Sequence, residues 1–168
     1  MNSRRFFVML ALALLNIASS TFAADSEILF TTPLTDLYGQ PVRLQDYRGK
    51  PLIVNFWARI CPSCREELPL LNTISHSHAQ ALTVIGIAVE AQAEAVHDFV
   101  AAYQLDYPML IGQEAGIRMM TGLGNNIAGL PFTVFVDATG QVVRQKMGAL
   151  TEAEIADALD ALLPQPVP

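Results

Sequence analysis

The chain has 168 residues, of which 52% are hydrophobic and 15% charged. That balance excludes a disordered polymer, which needs low hydrophobicity and high charge. Ten Lys and Arg against sixteen Asp and Glu give a net charge of −6, which argues against a nucleic-acid partner, and the length suits one domain with a sizeable core.

Residues 1–23 carry the pattern of a secretory signal, which leaves 24–168 as the folded domain. Arg4 and Arg5 form the positive start. Residues 6–17 are apolar apart from Asn16, and the small residues of 19–24 supply a cleavage site. Cleavage is expected after Ala23, with Ala24 as the alternative. The apolar run is short of the roughly 20 residues of a spanning helix, which favours removal over an uncleaved anchor. The segment holds no cysteine, so a lipid-anchored form is excluded. Loss of Arg4 and Arg5 leaves eight basic and sixteen acidic residues, a net charge of −8. The expected location is the periplasm, where disulfides persist.

Residues 28–35 show apolar alternation and predict an extended piece. A turn at 36–40 leads to a second extended piece bearing Val42 and Leu44, and a further turn covers 47–51. Residues 52–57 form an apolar β-type run that suits a strand covered on both faces. A helix is predicted over 62–76, with Leu68, Leu71 and Ile74 at helical spacing. A strand at 82–89, a helix at 91–103, a short strand at 108–111 and a short helix at 114–120 follow. After a loop at 122–126, a strand at 132–136 and a turn at 137–140 predict a hairpin with 141–147. Thr151 and Glu154 form a capping box for a last helix striped with Ile155, Leu159 and Leu162, and 165–168 form a frayed tail. The alternation predicts an α/β fold with a central mixed sheet flanked by helices.

Both cysteines fall in Cys61-Pro62-Ser63-Cys64, directly after a predicted buried strand. Two cysteines supply neither a disulfide-dense scaffold nor a four-cysteine zinc site. Their spacing puts both sulfurs on one face of a first helical turn, close enough to bond. A helix N-terminus has unpaired N–H groups and a partial positive charge, which lower a thiol pKa. Pro62 fits that first turn, where its missing donor costs nothing. The pair is therefore a candidate redox site. The alternatives are an inert disulfide, half of a metal site, or two ordinary buried cysteines. His76, His78 and His97 lack metal-type spacing to the pair, and Met119 and Met120 suit core filling. Arg59 and Arg65 either add positive potential or are solvated, and Glu90 is assigned to a helix cap or the surface.

The stretch Phe56-Trp57-Ala58-Arg59-Ile60-Cys61-Pro62-Ser63-Cys64-Arg65-Glu66-Glu67-Leu68-Pro69 resembles the active-site segment of the thioredoxin superfamily. It is most similar to the extracytoplasmic TlpA/ResA/CcmG-like thiol–disulfide oxidoreductases. The resemblance extends over residues 30–163. Residues 35–50 are similar to the family's N-terminal β-hairpin, 129–137 to its cis-proline loop and following strand, and 148–152 to its last-helix entry. Residues 91–103 fit the helix the family inserts into the basic thioredoxin-like fold.

The resemblance implies that Cys61 attacks and Cys64 resolves. It implies that Pro131 is cis and holds the backbone of Leu130 open for an extended substrate, against the ordinary preference for trans. Trp57, Ile60, Pro62 and Ser63 complete the implied substrate side. Glu67 is the implied proton-exchanging carboxyl, since burial raises a carboxyl pKa toward neutrality. Three positions depart from the family. Asn55 stands where thioredoxins carry a buried Asp, Ile60 where Trp is usual, and Leu130 where Thr or Val is common. The implied activity is reduction of protein disulfides, for instance in an apocytochrome c, with re-reduction by a membrane electron donor of the DsbD/CcdA type. Pro62-Ser63 is similar to the Pro-Thr of cytochrome-maturation relatives. No metal, no nucleic acid and no cofactor beyond a Cys61–Cys64 disulfide is expected, and the chain is expected to be a monomer. An oxidant or isomerase, or a non-catalytic copper-binding module, are the alternatives.

Overall fold

The computed structural model describes residues 23–163. Residues 1–22 and the tail at 164–168 lie outside this range, so the signal-peptide and frayed-tail expectations concern residues not described, apart from Ala23.

The sheet has seven strands in the order β2-β1-β5-β4-β3-β6-β7. These are β1 Leu34–Asp36, β2 Pro41–Val42, β3 Leu52–Trp57, β4 Thr83–Ala88, β5 Met109–Ile111, β6 Phe132–Val136 and β7 Val142–Met147. β3, β4 and β5 run parallel, while β6 and β7 on one side and β1 and β2 on the other run antiparallel. All six residues of β3 are buried, as a continuous apolar run covered on both faces requires.

The helices are α1 Ala23–Thr31, α2 Pro62–Ser77, α3 Ala93–Ala102, α4 Gln113–Gly122 and α5 Glu152–Leu162. Ile53 and Trp57 of β3 face a core with Leu68 and Leu71 of α2, Val96 of α3 and Ile155 of α5. Leu52, Val54 and Phe56 face a second core with Leu29 of α1 and Met119 and Met120 of α4. This is an α/β thioredoxin-like fold, and α3 with β5 occupies the place of the expected insertion. The capping box forms as expected, with Thr151 accepting from the Glu154 N–H and Glu154 from the Thr151 N–H.

Two segments are corrected. Residues 28–31 are helical, and the strand begins only at Leu34. A short apolar run fits either period until a neighbour decides it. Here Leu29 and Phe30 are both buried, which an alternating half-exposed strand would not allow. Ile28 lies against Gly122 of α4, where an added Cβ would come within 2.5 Å of its Cδ1. Arg48 stacks 3.7 Å over the Phe30 ring and pairs with Glu27. Leu44 is likewise not on the return strand but in a 3₁₀ turn, Leu44–Tyr47, that packs on α1.

Candidate active site

β3 delivers the chain to one end of the sheet, and a tight turn from the Ala58 carbonyl to the Cys61 N–H (3.1 Å) redirects it into α2. Cys61 is the N-cap of α2, with extended backbone, and Pro62 takes the first helical position. The Cys61 sulfur accepts from the Cys64 N–H at 3.2 Å, so it occupies the place of a capping oxygen among the unpaired amides. Cys61 and Cys64 form a disulfide, with Cα atoms 5.3 Å apart. The sulfurs differ in access. Cys61 is half-buried, and Cys64, one turn in, is 0% exposed. On reduction the outer sulfur would lie where helix charge favours a thiolate.

The loop before Cys61 is braced from the neighbouring strand. Glu90, two residues past β4, accepts from the Arg59 backbone N–H and from its Nε at 2.9 Å. Arg59 Nη2 also reaches Gln92 Oε1 at 3.0 Å. Glu90 is therefore neither a helix cap nor a free surface acid, since Gln92 is the N-cap of α3. Sequence reasoning missed this pair. The available signal was that parallel β3 and β4 end side by side, which brings the residues after each together.

Glu67 lies behind the disulfide on the inner face of α2, only 2% exposed. Its Oε1 accepts from Asn55 Nδ2 at 2.7 Å, and its Oε2 accepts from the Leu150 N–H at 2.7 Å. Asn55 Nδ2 also donates to Thr133 Oγ1 at 2.9 Å. Burial raises the Glu67 pKa above the ordinary 4.5, against the lowering by these two donors and by the charge of Lys146. Glu66 beside it is exposed.

The Leu130–Pro131 bond is cis. Phe132 pairs with Phe56 across β3 and β6, so Pro131 lies at the same end of the sheet as the cysteines. The Pro131 carbonyl accepts from Gly148 N at 2.8 Å. Asn125, 1% exposed, straps the approach, donating to the Gly129 carbonyl at 2.8 Å and accepting from the Gly129 N–H at 3.0 Å. In the sequence it falls only within the predicted loop at 122–126. Ile60 is 86% exposed, Pro62 is exposed, and Ser63 and Leu130 are half-buried. Trp57, expected on the substrate side, is instead fully buried, because β3 points it inward against Phe99 of α3, with ring centroids 5.3 Å apart.

The model of the Redoxin family matches residues 21–162. The chain belongs to the Redoxin family. It is 27% identical over 132 residues to the thiol-disulfide oxidoreductase ResA of Bacillus subtilis, covering 78% of this chain and 72% of that protein. It is similar in structure to a thioredoxin-family thiol:disulfide interchange protein from Chlorobium tepidum, with a TM-score of 0.70 and 28% identity over 79% of this chain and 95% of that one. It is also similar to a secreted Mycobacterium tuberculosis disulfide oxidoreductase homologous to E. coli DsbE, with a TM-score of 0.67 and 29% identity over 81% of this chain and 98% of that one. This Redoxin protein is thus a thiol–disulfide oxidoreductase of the ResA/DsbE/TlpA-like kind with its disulfide between Cys61 and Cys64.

Proposed function

We propose that this Redoxin protein reduces protein disulfides outside the cytoplasm, with Cys61 as nucleophile, Cys64 as resolving thiol and Glu67 as proton acceptor. The observation that carries this reading is the unequal access of the two sulfurs, with a buried carboxyl one turn further along α2. The Cys61 thiolate attacks one substrate sulfur, the substrate S–S bond breaks, and the other substrate sulfur leaves as thiolate. Cys64 then gives up its proton, for which Glu67 one turn along α2 is the nearby base. Its sulfur attacks the Cys61 sulfur and expels the second substrate thiolate. Two electrons pass to the substrate, and the Cys61–Cys64 disulfide forms.

Pro131 and Leu130 present the extended edge on which the substrate segment lies, with Ile60, Pro62 and Ser63 beside it. Ile60 supplies an aliphatic contact in place of an aromatic one. A membrane electron donor of the DsbD/CcdA type restores the dithiol. Substrates of this class include the oxidised haem-binding CxxC of an apocytochrome c. The pattern of residues 1–23 and the secretion of the mycobacterial relative support a periplasmic location.

The test is the reduction potential of the Cys61–Cys64 pair, together with two-electron reduction of an oxidised haem-binding CxxC peptide. A potential near the roughly −270 mV of reducing dithiols, with turnover of the peptide, is expected. A potential near the about −120 mV of strongly oxidising dithiols would assign the protein to disulfide formation instead.

A further inference from the structure

An open cleft of about 340 Å³ lies beside the first turn of α2, lined by Pro62, Arg65, Glu66 and Tyr103. Ligand sites span roughly 300–1,000 Å³, so a cleft of this size suits one side chain rather than a cofactor. The Arg65 N–H donates to the Cys61 carbonyl at 3.2 Å, which puts the cleft within one turn of the outer cysteine. Tyr103 stands at the C-terminal end of α3. It stacks on Phe99, with ring centroids 4.2 Å apart, and Phe99 lies in turn against the buried Trp57. Asn72 of α2 pins the chain that follows, donating to the Gln104 carbonyl at 3.3 Å and accepting from the Asp106 N–H at 3.1 Å. Tyr103 is nonetheless 38% exposed, so a ring fixed from behind by the core is presented to the cleft before any guest arrives.

We propose that this cleft is a substrate subsite that takes a cationic side chain, Arg before Lys, from the polypeptide flanking the attacked disulfide. It rests on the protein-disulfide reading above and narrows the substrate class. The Tyr103 ring offers the negative face of an aromatic quadrupole. The Glu66 carboxylate is exposed and has no ion-pair partner among the described residues. Pro69, inside α2, has no N–H, so the Arg65 carbonyl lacks its ordinary helical donor on the same side of the helix. A flat guanidinium can lie on the ring while donating to such oxygens. The opposing charge in the cleft is Arg65, whose side chain neither pairs with Glu66 nor covers Tyr103 among the described residues. At longer range, sixteen acidic against ten basic residues favour a basic partner. From Cys61 to Arg65 the helix rises about 6 Å, the reach of about two residues of extended chain. The guest therefore sits about two positions from the substrate cysteine. α3 joins β4 to β5, and Pro131 opens β6 on the other side of β3, so the subsite flanks Cys61 opposite the Leu130–Pro131 edge.

The test uses two peptides, each closed by one disulfide and differing only in Arg or Gln two positions outside both cysteines. The second-order rate constant for oxidation of the reduced protein by each peptide is measured, and the Arg-to-Gln ratio is read, so that a change affecting both peptides alike cancels. The wild-type ratio should be about tenfold, the scale of one cation–π contact with one exposed ion pair. Tyr103→Leu and Glu66→Gln should each cut the ratio severalfold, Tyr103→Phe should keep it because the ring stays, and Arg65→Gln should raise it. A wild-type ratio near one, or a ratio that survives Tyr103→Leu or Glu66→Gln, overturns the proposal. The same peptides with Ser in place of both cysteines bind without redox chemistry, and the Tyr103 ring-proton NMR signals should shift with the Arg form and stay in place with the Gln form. If neither disulfide peptide oxidises the protein, the reductase reading fails, while the ring signals still decide the subsite: unmoved signals with the Arg form overturn it.

Discussion

Replacing Glu67 by Gln removes a buried charge and keeps the shape of the side chain. The carboxyl is 2% exposed, and burial is the largest influence on it, raising its pKa above the unfolded value of 4.5. Between 4.5 and the raised native value the folded state binds more protons than the unfolded one, so stability falls as pH rises through that window. Each unit of elevation costs about 1.4 kcal/mol at higher pH. A Gln oxygen still accepts from the Leu150 N–H. Its amide can donate to Asn55 Oδ1, which has no partner among the described residues, once the Asn55 amide turns over. The variant is therefore expected to be more stable than the wild-type protein at pH 7.5, by about 1.4 kcal/mol for each unit by which burial raises the Glu67 pKa, with the gain fading as pH falls below 4.5. Urea unfolding of the oxidised proteins at pH 7.5 and below pH 4.5 measures this directly. A loss of stability that is equal at the two pH values would refute the reasoning, because it would make the carboxyl a structural hydrogen-bonding group with no burdened charge.

Three further outcomes follow from the site. In the reduced protein, iodoacetamide should label Cys61 with a pH midpoint below the roughly 8.5 of an ordinary thiol, and should leave Cys64 unmodified until urea is added. Peptide mass spectrometry reads both, and equal labelling would contradict the difference in access. Glu90→Gln weakens the hold on Arg59 and should cost about 1 kcal/mol while slowing exchange at Cys61, seen by urea unfolding and by thiol–disulfide kinetics. Asn125→Ala deletes both ties to Gly129 and should cost about 2 kcal/mol. It should raise KM for a protein disulfide without altering Cys61 alkylation, and unchanged KM would separate the strap from substrate binding.

Much of the fold and the position of the cysteines follow from local pattern in the chain alone. The six-residue apolar run at 52–57, the CxxC that follows it and the helical spacing of Leu68 and Leu71 each depend on neighbours within a turn or a strand. The same holds for the Thr151–Glu154 capping box. Such signals survive in the sequence because the interacting residues lie close along it. Tertiary packing decided the rest. It made residues 28–31 helical, since only the contact with α4 and the 3₁₀ turn selects between two periods that a short apolar run satisfies equally. It buried Trp57 and drew Glu90 to Arg59. It also surrounded Glu67 with partners 12 and 83 residues away, Asn55 and Leu150. The sequence alone marked where the reactive sulfurs stand. How strongly the carboxyl behind them resists ionisation depends on how much water the assembled sheet and helices exclude, a property that no short stretch of chain carries.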